Sequence, residues 1–191
     1  MENFDELLLQ IKIDIKNVLS EKRYEHSIRV MERAEELARK YNVNIEKAIL
    51  IGLAHDIAKD MPREEKIKYV KLNNIPIDDF EKENIELLHA KIGADICNKK
   101  YGFTEDMQKA IKYHTTGNPK MDNLAKIIFI ADKTEKSRKN LDWTEIEQIE
   151  KKGINEMVIH LIDNSIKYTI DQRKIIHPDS IYTRNAMLLE K

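Results

Sequence analysis

The run Ala48-Ile49-Leu50-Ile51-Gly52-Leu53-Ala54-His55-Asp56-Ile57-Ala58 is apolar on every side of one imidazole and carboxylate pair. A pair able to carry charge is costly in an apolar helix unless something compensates it. The usual compensation is a metal ion, which takes neutral nitrogen and anionic oxygen as donors. Outward from this run, apolar residues recur every three to four positions through almost the whole length and strand-like alternation is essentially absent, so the chain reads as all-α. Helices are expected near residues 4–19, 21–40, 45–59, 63–73, 80–100, 105–116, 123–137, 144–152 and 155–175, a bundle of about eight or nine. Asn44, Thr104 and Thr144 suit N-caps, Pro62 suits a first turn, and Gly102, Gly117 and Gly153 fall where helices should stop. The segment 176–191, with Pro178 and little periodicity, is expected to be irregular.

At 191 residues the chain, 1–191, is expected to form one domain with length enough for a sizeable core. Lys and Arg number 33 against 34 Asp and Glu, a formal charge of -1. That balance offers no general cationic field for nucleic acid or an anionic membrane. A small anionic ligand would need local cations, and Lys133, Lys136, Arg138 and Lys139 form such a cluster; a solvated helix end accounts for them equally well. Cys97 is the single cysteine, so no intrachain disulfide can form, and Ile92, Gly93 and Ile96 around it favour a core role over a nucleophilic one. The acidic start Met1-Glu2-Asn3-Phe4-Asp5-Glu6 resembles no signal peptide and no apolar run approaches membrane-spanning length, which leads to an expectation of the cytoplasm.

Helical spacing places the other polar candidates on inward faces. His26 shares a stripe with Val30, Ala34, Leu37 and Tyr41, His89 with Ile85, Ile92 and Ile96, His114 with Met107, Ala110 and Ile111, and Asp132 with Ala125, Ile128 and Phe129. A lone histidine on an apolar face is more often a hydrogen-bonded core residue than a ligand. Four histidines and two aspartates from five helices would each need a separate buried partner, whereas a shared metal and a phosphate ligand satisfy them together. His160, beside Met157 and Leu161 with Asp163 as its nearby acid, reads as structural. His177 precedes Pro178 and suits ligand contact rather than metal. Tyr113 and Trp143 are read as core.

The order of a histidine on an early helix, then His-Asp, then a distant aspartate resembles the HD superfamily of metal-dependent phosphohydrolases. Six blocks carry the likeness further: Arg23-Tyr24-Glu25-His26-Ser27, Ala54-His55-Asp56-Ile57-Ala58-Lys59, Leu88-His89-Ala90, Tyr113-His114-Thr115-Thr116-Gly117, Ala131-Asp132-Lys133-Thr134-Glu135 and His177-Pro178-Asp179-Ser180-Ile181-Tyr182-Thr183-Arg184-Asn185. Together they resemble the bacterial YqeK family over nearly the entire chain. The resemblance implies an HD-type helical bundle that cleaves diadenosine tetraphosphate (Ap4A) symmetrically to two ADP with bound iron or another divalent transition metal. It implies metal ligation by His26, His55, Asp56 and Asp132, and catalytic roles for Asp56, His89, His114 and Arg138. Arg23, Lys59, His89, His114, Thr115 and Arg138 match positions near the phosphates, and Ile176, His177, Pro178, Ile181 and Tyr182 match the segment that closes on the nucleoside. One ion is expected, with a second at His89 and His114 as the alternative. The competing readings are an HD phosphohydrolase for a nucleoside mono- or triphosphate and a nucleotide sensor without turnover. Whether the chain forms a homodimer stays open.

Overall fold

The computed structural model describes residues 3–139 and 141–190; the expectations placed on Met1, Glu2, Asn140 and Lys191 lie outside them. Among the described residues all regular structure is helical, with eleven α-helices and one 3₁₀ turn. They are α1 (Phe4–Val18), α2 (Glu21–Lys40), α3 (Ile45–Ala54), α4 (Arg63–Leu72), α5 (Asp79–Glu83), the 3₁₀ turn Ile85–Leu87, α6 (Leu88–Tyr101), α7 (Glu105–Tyr113), α8 (Asn123–Lys133), α9 (Trp143–Glu150), α10 (Ile154–Asp171) and α11 (Pro178–Leu189).

The centre is a stack of α3, α2 and α8, with α2 packed on both neighbours. Val30, Ala34 and Leu37 of α2 meet Ala48, Ile51 and Leu53 of α3 and Ile127, Ile128 and Ala131 of α8 in one continuous core, all essentially without solvent exposure. Burial of this kind is the main favourable term for such a bundle, about 25 cal/mol for each Å2 of apolar surface removed from water. Gly52 permits the close approach of α3 to α2, because a Cβ there would lie 2.9 Å from the Met31 Cα. Around the stack, α7 packs on α6 and α8, α10 on α8, and α11 on α10.

The count exceeds the expected eight or nine for two reasons. The anticipated helix 80–100 is three pieces: Asp78 caps α5 reciprocally with Glu81, Asn84 leaves the helical region, and the 3₁₀ turn leads into α6. The segment expected to be irregular, 176–191, contains α11. Pro178 sits at its first position, where a missing N–H costs nothing, and His177 caps it by accepting the Asp179 N–H at 3.2 Å. Thr183 and Met187, one turn apart, are buried beneath it. Several caps also shift. Asn44 and Gly102 act as expected, but Asp142 rather than Thr144 caps α9, Pro62 occupies a cap rather than the first turn, and Gly153 begins α10 instead of ending a helix. Gly117 lies beyond the end of α7, with φ +75° and the Thr183 side chain where a Cβ would be. Cys97 is buried in the core, and Trp143, expected there, is 38 % exposed.

Candidate metal and phosphate site

His55 and Asp56 stand not within a helix over 45–59 but on the turns that follow α3. The ring of His55 causes part of the break. Its Nδ1–H donates to the Gly52 carbonyl at 2.8 Å, occupying the acceptor three residues back that a continuing helix would use. His89 and His114 repeat the device, with Nδ1 on the carbonyls of Glu86 and, at 2.7 Å, Ile111. A carbonyl can only accept, so all three Nδ1 atoms carry the proton and all three Nε2 atoms offer a lone pair.

These lone pairs converge with His26 and two carboxylates. His26 Nε2 lies 3.1 Å from Asp132 Oδ1 and 4.0 Å from Asp56 Oδ2; His55 Nε2 lies 3.6 Å from Asp56 Oδ2 and 3.9 Å from Asp132 Oδ1. On the other side of the same carboxylate, His89 Nε2 and His114 Nε2 stand 3.2 and 3.5 Å from Asp56 Oδ1 and 3.2 Å from each other. Asp56 thus belongs to two groups of potential ligands, one with His26 and His55 and one with His89 and His114. The four residues expected as metal ligands and the two outer histidines are therefore together, although α2, the α3 turn, α6, the end of α7 and α8 supply them from positions 26 to 132.

The first group fits a cation. His55 Nε2, in this group, and Asp56 Oδ1, on the side of the carboxylate that faces His89 and His114, are fully buried and have no hydrogen-bond partner among the described residues, a state that costs about 1–3 kcal/mol per group if nothing serves them. His26 Nδ1 faces Glu135 Oε1 at 3.3 Å, so donation there leaves the Nε2 lone pair opposite another acceptor, Asp132 Oδ1. Burial pushes the His55 imidazole down to about 3, which keeps it neutral. Burial works against both carboxylates, but Lys133 beside Asp132 outweighs it, and Asp56, paired with Arg23 at 2.9 Å, likewise stands well below the usual carboxylate range. Neutral nitrogen and anionic oxygen are the protonation states a divalent cation requires.

The second group is served by donors. Lys59 Nζ reaches His89 Nε2 at 3.4 Å and Thr115 Oγ1 reaches His114 Nε2 at 3.2 Å, and burial lowers the His89 pKa. Arg23 pairs with Asp56 Oδ2 at 2.9 Å. Arg138 chelates Asp132 through its carbonyl, at 2.7 and 3.1 Å, and its Oδ1, at 3.1 Å, while half of its side chain stays exposed. A cavity of about 700 Å3 opens above His26 and Asp132, edged by Lys22, Arg23, Arg29, Lys133, Arg138, Lys139 and Thr115. Six cations around one opening, over an acceptor cluster, form a receptacle for a polyanion.

Several placements differ from the sequence reading. Lys133, read as one of a cation cluster for an anionic ligand or of a solvated helix end, lines the cationic cavity but has its Nζ on the His114 carbonyl at 2.7 Å and over the Phe129 ring. Glu135 was not singled out, yet it is buried and joins His26, Arg29 at 3.0 Å and Ser137 at 2.6 and 2.7 Å. Burial acts to raise its pKa, but the Ser137 donors, His26 and Arg29 hold it below the usual range. Its signal was a carboxylate three residues after Asp132, within reach of the same helix end. His177 lines a second cavity of about 180 Å3 with Asp179, Tyr113 and Thr116, and Thr115 lines both cavities. Its Nε2 meets Asp78 Oδ2 at 3.0 Å. Ile176 and Pro178 are half-buried, and Ile181 and Tyr182 are exposed and line neither cavity. His160 accepts from Asn164 at 3.0 Å and faces Glu145 rather than Asp163, which pairs with Arg184.

Comparison with known proteins agrees with this arrangement. The HD domain pattern matches residues 23–137. The chain is 35 % identical over 178 residues to a Halalkalibacterium halodurans protein named symmetrical bis(5'-nucleosyl)-tetraphosphatase, covering 93 % of this chain and 95 % of that one. It is 33 % identical over 175 residues to the Bacillus subtilis protein of the same name, covering 91 % and 94 %. A crystal structure from Clostridium acetobutylicum, titled as a predicted HD superfamily hydrolase involved in NAD metabolism, superposes with a TM-score of 0.91 at 36 % identity over 100 % of both chains. With the His-Asp turn, the distant aspartate and near full-length likeness all present, the chain belongs to the HD-domain family and, within it, to the YqeK family.

Proposed function

We propose that this protein is a metal-dependent hydrolase that cuts Ap4A in the middle of its phosphate chain and releases two ADP. The observation that carries the reading is the buried, unpartnered acceptor set of His55 and Asp56, joined by His26 and Asp132 beneath a cavity ringed by six cations. The relatives named above carry that activity in their names. His26, His55, Asp56 and Asp132 would hold one divalent ion, iron in this reading, which when bound lowers the pKa of a water and polarises a phosphorus.

The remaining residues act on the substrate directly. Arg23, Lys59 and Arg138 neutralise phosphate oxygens, Thr115 places a donor where charge develops on the equatorial and leaving oxygens, and His89 and His114 join it there by taking a proton at Nε2. The smaller cavity beside Thr115, with His177 and Asp179, receives one nucleoside, with Ile176, Pro178, Ile181 and Tyr182 as the flanking segment. Holding one nucleoside diphosphate there puts the next phosphorus over the acceptor set, so the register along the chain fixes the cut. The partner is thus a small nucleotide and the site of action the cytoplasm; no helix among the described residues is long and apolar enough to cross a membrane. The test is incubation of metal-loaded protein with Ap4A followed by chromatography. ADP alone is the expected product; AMP with ATP would mean another register, and no product would mean a binding protein.

A further inference from the structure

We infer that the groove between α8 and α10, with Tyr168 as its stacking platform, is the subsite for the second nucleoside of the dinucleotide. The inference rests on the hydrolase reading above and extends it to the half of the substrate that the smaller cavity does not hold. The groove encloses about 310 Å3. Lys133 and Leu141 line both it and the cationic cavity, as Thr115 lines both that cavity and the smaller one. Three hollows therefore adjoin one another, with the cationic one in the middle. A molecule made of two nucleosides and a polyphosphate has the same division, with its charge in the middle and a flat ring at each end.

The chemistry of the groove suits such a ring. Leu141 and Leu161 supply apolar walls, the usual lining of a small-molecule pocket. Tyr168 is 61 % exposed, pairs with no other ring among the described residues, and its hydroxyl makes no hydrogen bond among them. The Ser165 and Thr169 hydroxyls are committed to carbonyls of their own helix, at 2.9 and 2.8 Å. Asn164 differs: its Nδ2 donates to His160, which leaves its Oδ1 available to accept from an exocyclic amino group such as that of adenine. A base laid on Tyr168 against Leu141 would keep its phosphate side toward Lys133.

Tyr168→Ala tests this, since an exposed ring can be removed without opening the core. Base and ring stacking predicts a KM for Ap4A raised about tenfold, with kcat little changed. Inhibition by ADP and the KM for adenosine 5'-tetraphosphate, which lacks the second nucleoside, should stay as in the unaltered protein. Tyr168→Phe should restore the KM. Titration with a methylene-bridged analogue of Ap4A gives the same comparison without turnover, and the same tenfold loss is expected. An unchanged KM in Tyr168→Ala, or an equal loss of ADP binding, overturns the subsite. An unaltered protein that leaves Ap4A uncut but binds the analogue through Tyr168 overturns the hydrolase reading and supports the subsite.

Discussion

Glu135 sets the orientation of His26 by facing its Nδ1 at 3.3 Å, and Arg29 and Ser137 in turn hold Glu135. Partners of this kind fix both the tautomer and the basicity of a ligating imidazole. Glu135→Ala should lower metal affinity about 10- to 100-fold, read by competition with a chelating dye, while the fold and the other five inward groups persist. His55→Ala should leave the protein largely free of metal by elemental analysis, because it removes a donor that has no substitute. Arg138→Ala should do the opposite. A guanidinium cannot ligate a cation, so metal stays bound and ADP affinity falls about 10- to 100-fold, as loss of a hydrogen bond to a charged group predicts. Loss of metal with unchanged ADP affinity would contradict that assignment. His26, His89, His114 and Asp132 were legible because apolar residues at helical spacing lead up to each, and His55 and Asp56 because they interrupt an apolar run. Glu135 was not: it follows Asp132 beyond the end of α8 at Lys133, where helical spacing no longer says which way a side chain points.

At the scale of elements, Gly52 decides how closely α3 approaches α2, and so the distance between His55 and His26, whose ring centroids are 5.5 Å apart. A methyl group at Gly52 would meet the Met31 backbone at 2.9 Å, where no flexible side chain can give way. Gly52→Ala should therefore cost about 1–3 kcal/mol of stability, as overpacking does, and weaken metal binding as well, both measurable by urea melts with and without chelator. Full stability in Gly52→Ala would show that the helices separate at no cost. The helix periods were readable from apolar spacing, but the end of α3 was not, because no Gly or Pro marks it. A side chain contributes to the stop, His55 Nδ1 on the Gly52 carbonyl, and the apolar pair Ile57-Ala58 continues the periodicity past it. The tail failed for the opposite reason. Pro178 was read as a break when it opens α11, and the burial of Thr183 and Met187 that stabilises that helix depends on contacts with the body of the protein.

Across the whole molecule, three adjoining hollows suit a defined position for the substrate, and the proposed position implies where the cut falls. Hydrolysis in oxygen-18 water should place one label in one of the two ADP molecules of each turnover, seen by mass spectrometry. Label in AMP or ATP would mean a shifted register even with the acceptor set intact. The contact between His26 and Asp132 joins residues 106 apart in the chain, and this has a consequence during synthesis. At about 5–20 residues per second, the ribosome makes Asp132 about 4–15 s after Asp56. Through that interval the nascent chain presents His26, His55 and Asp56, joined in turn by His89 and His114, without the second carboxylate that completes the set. Any discrimination among metals that needs Asp132 is thus a property of the finished chain, and an ion taken up earlier has met only an incomplete set of donors.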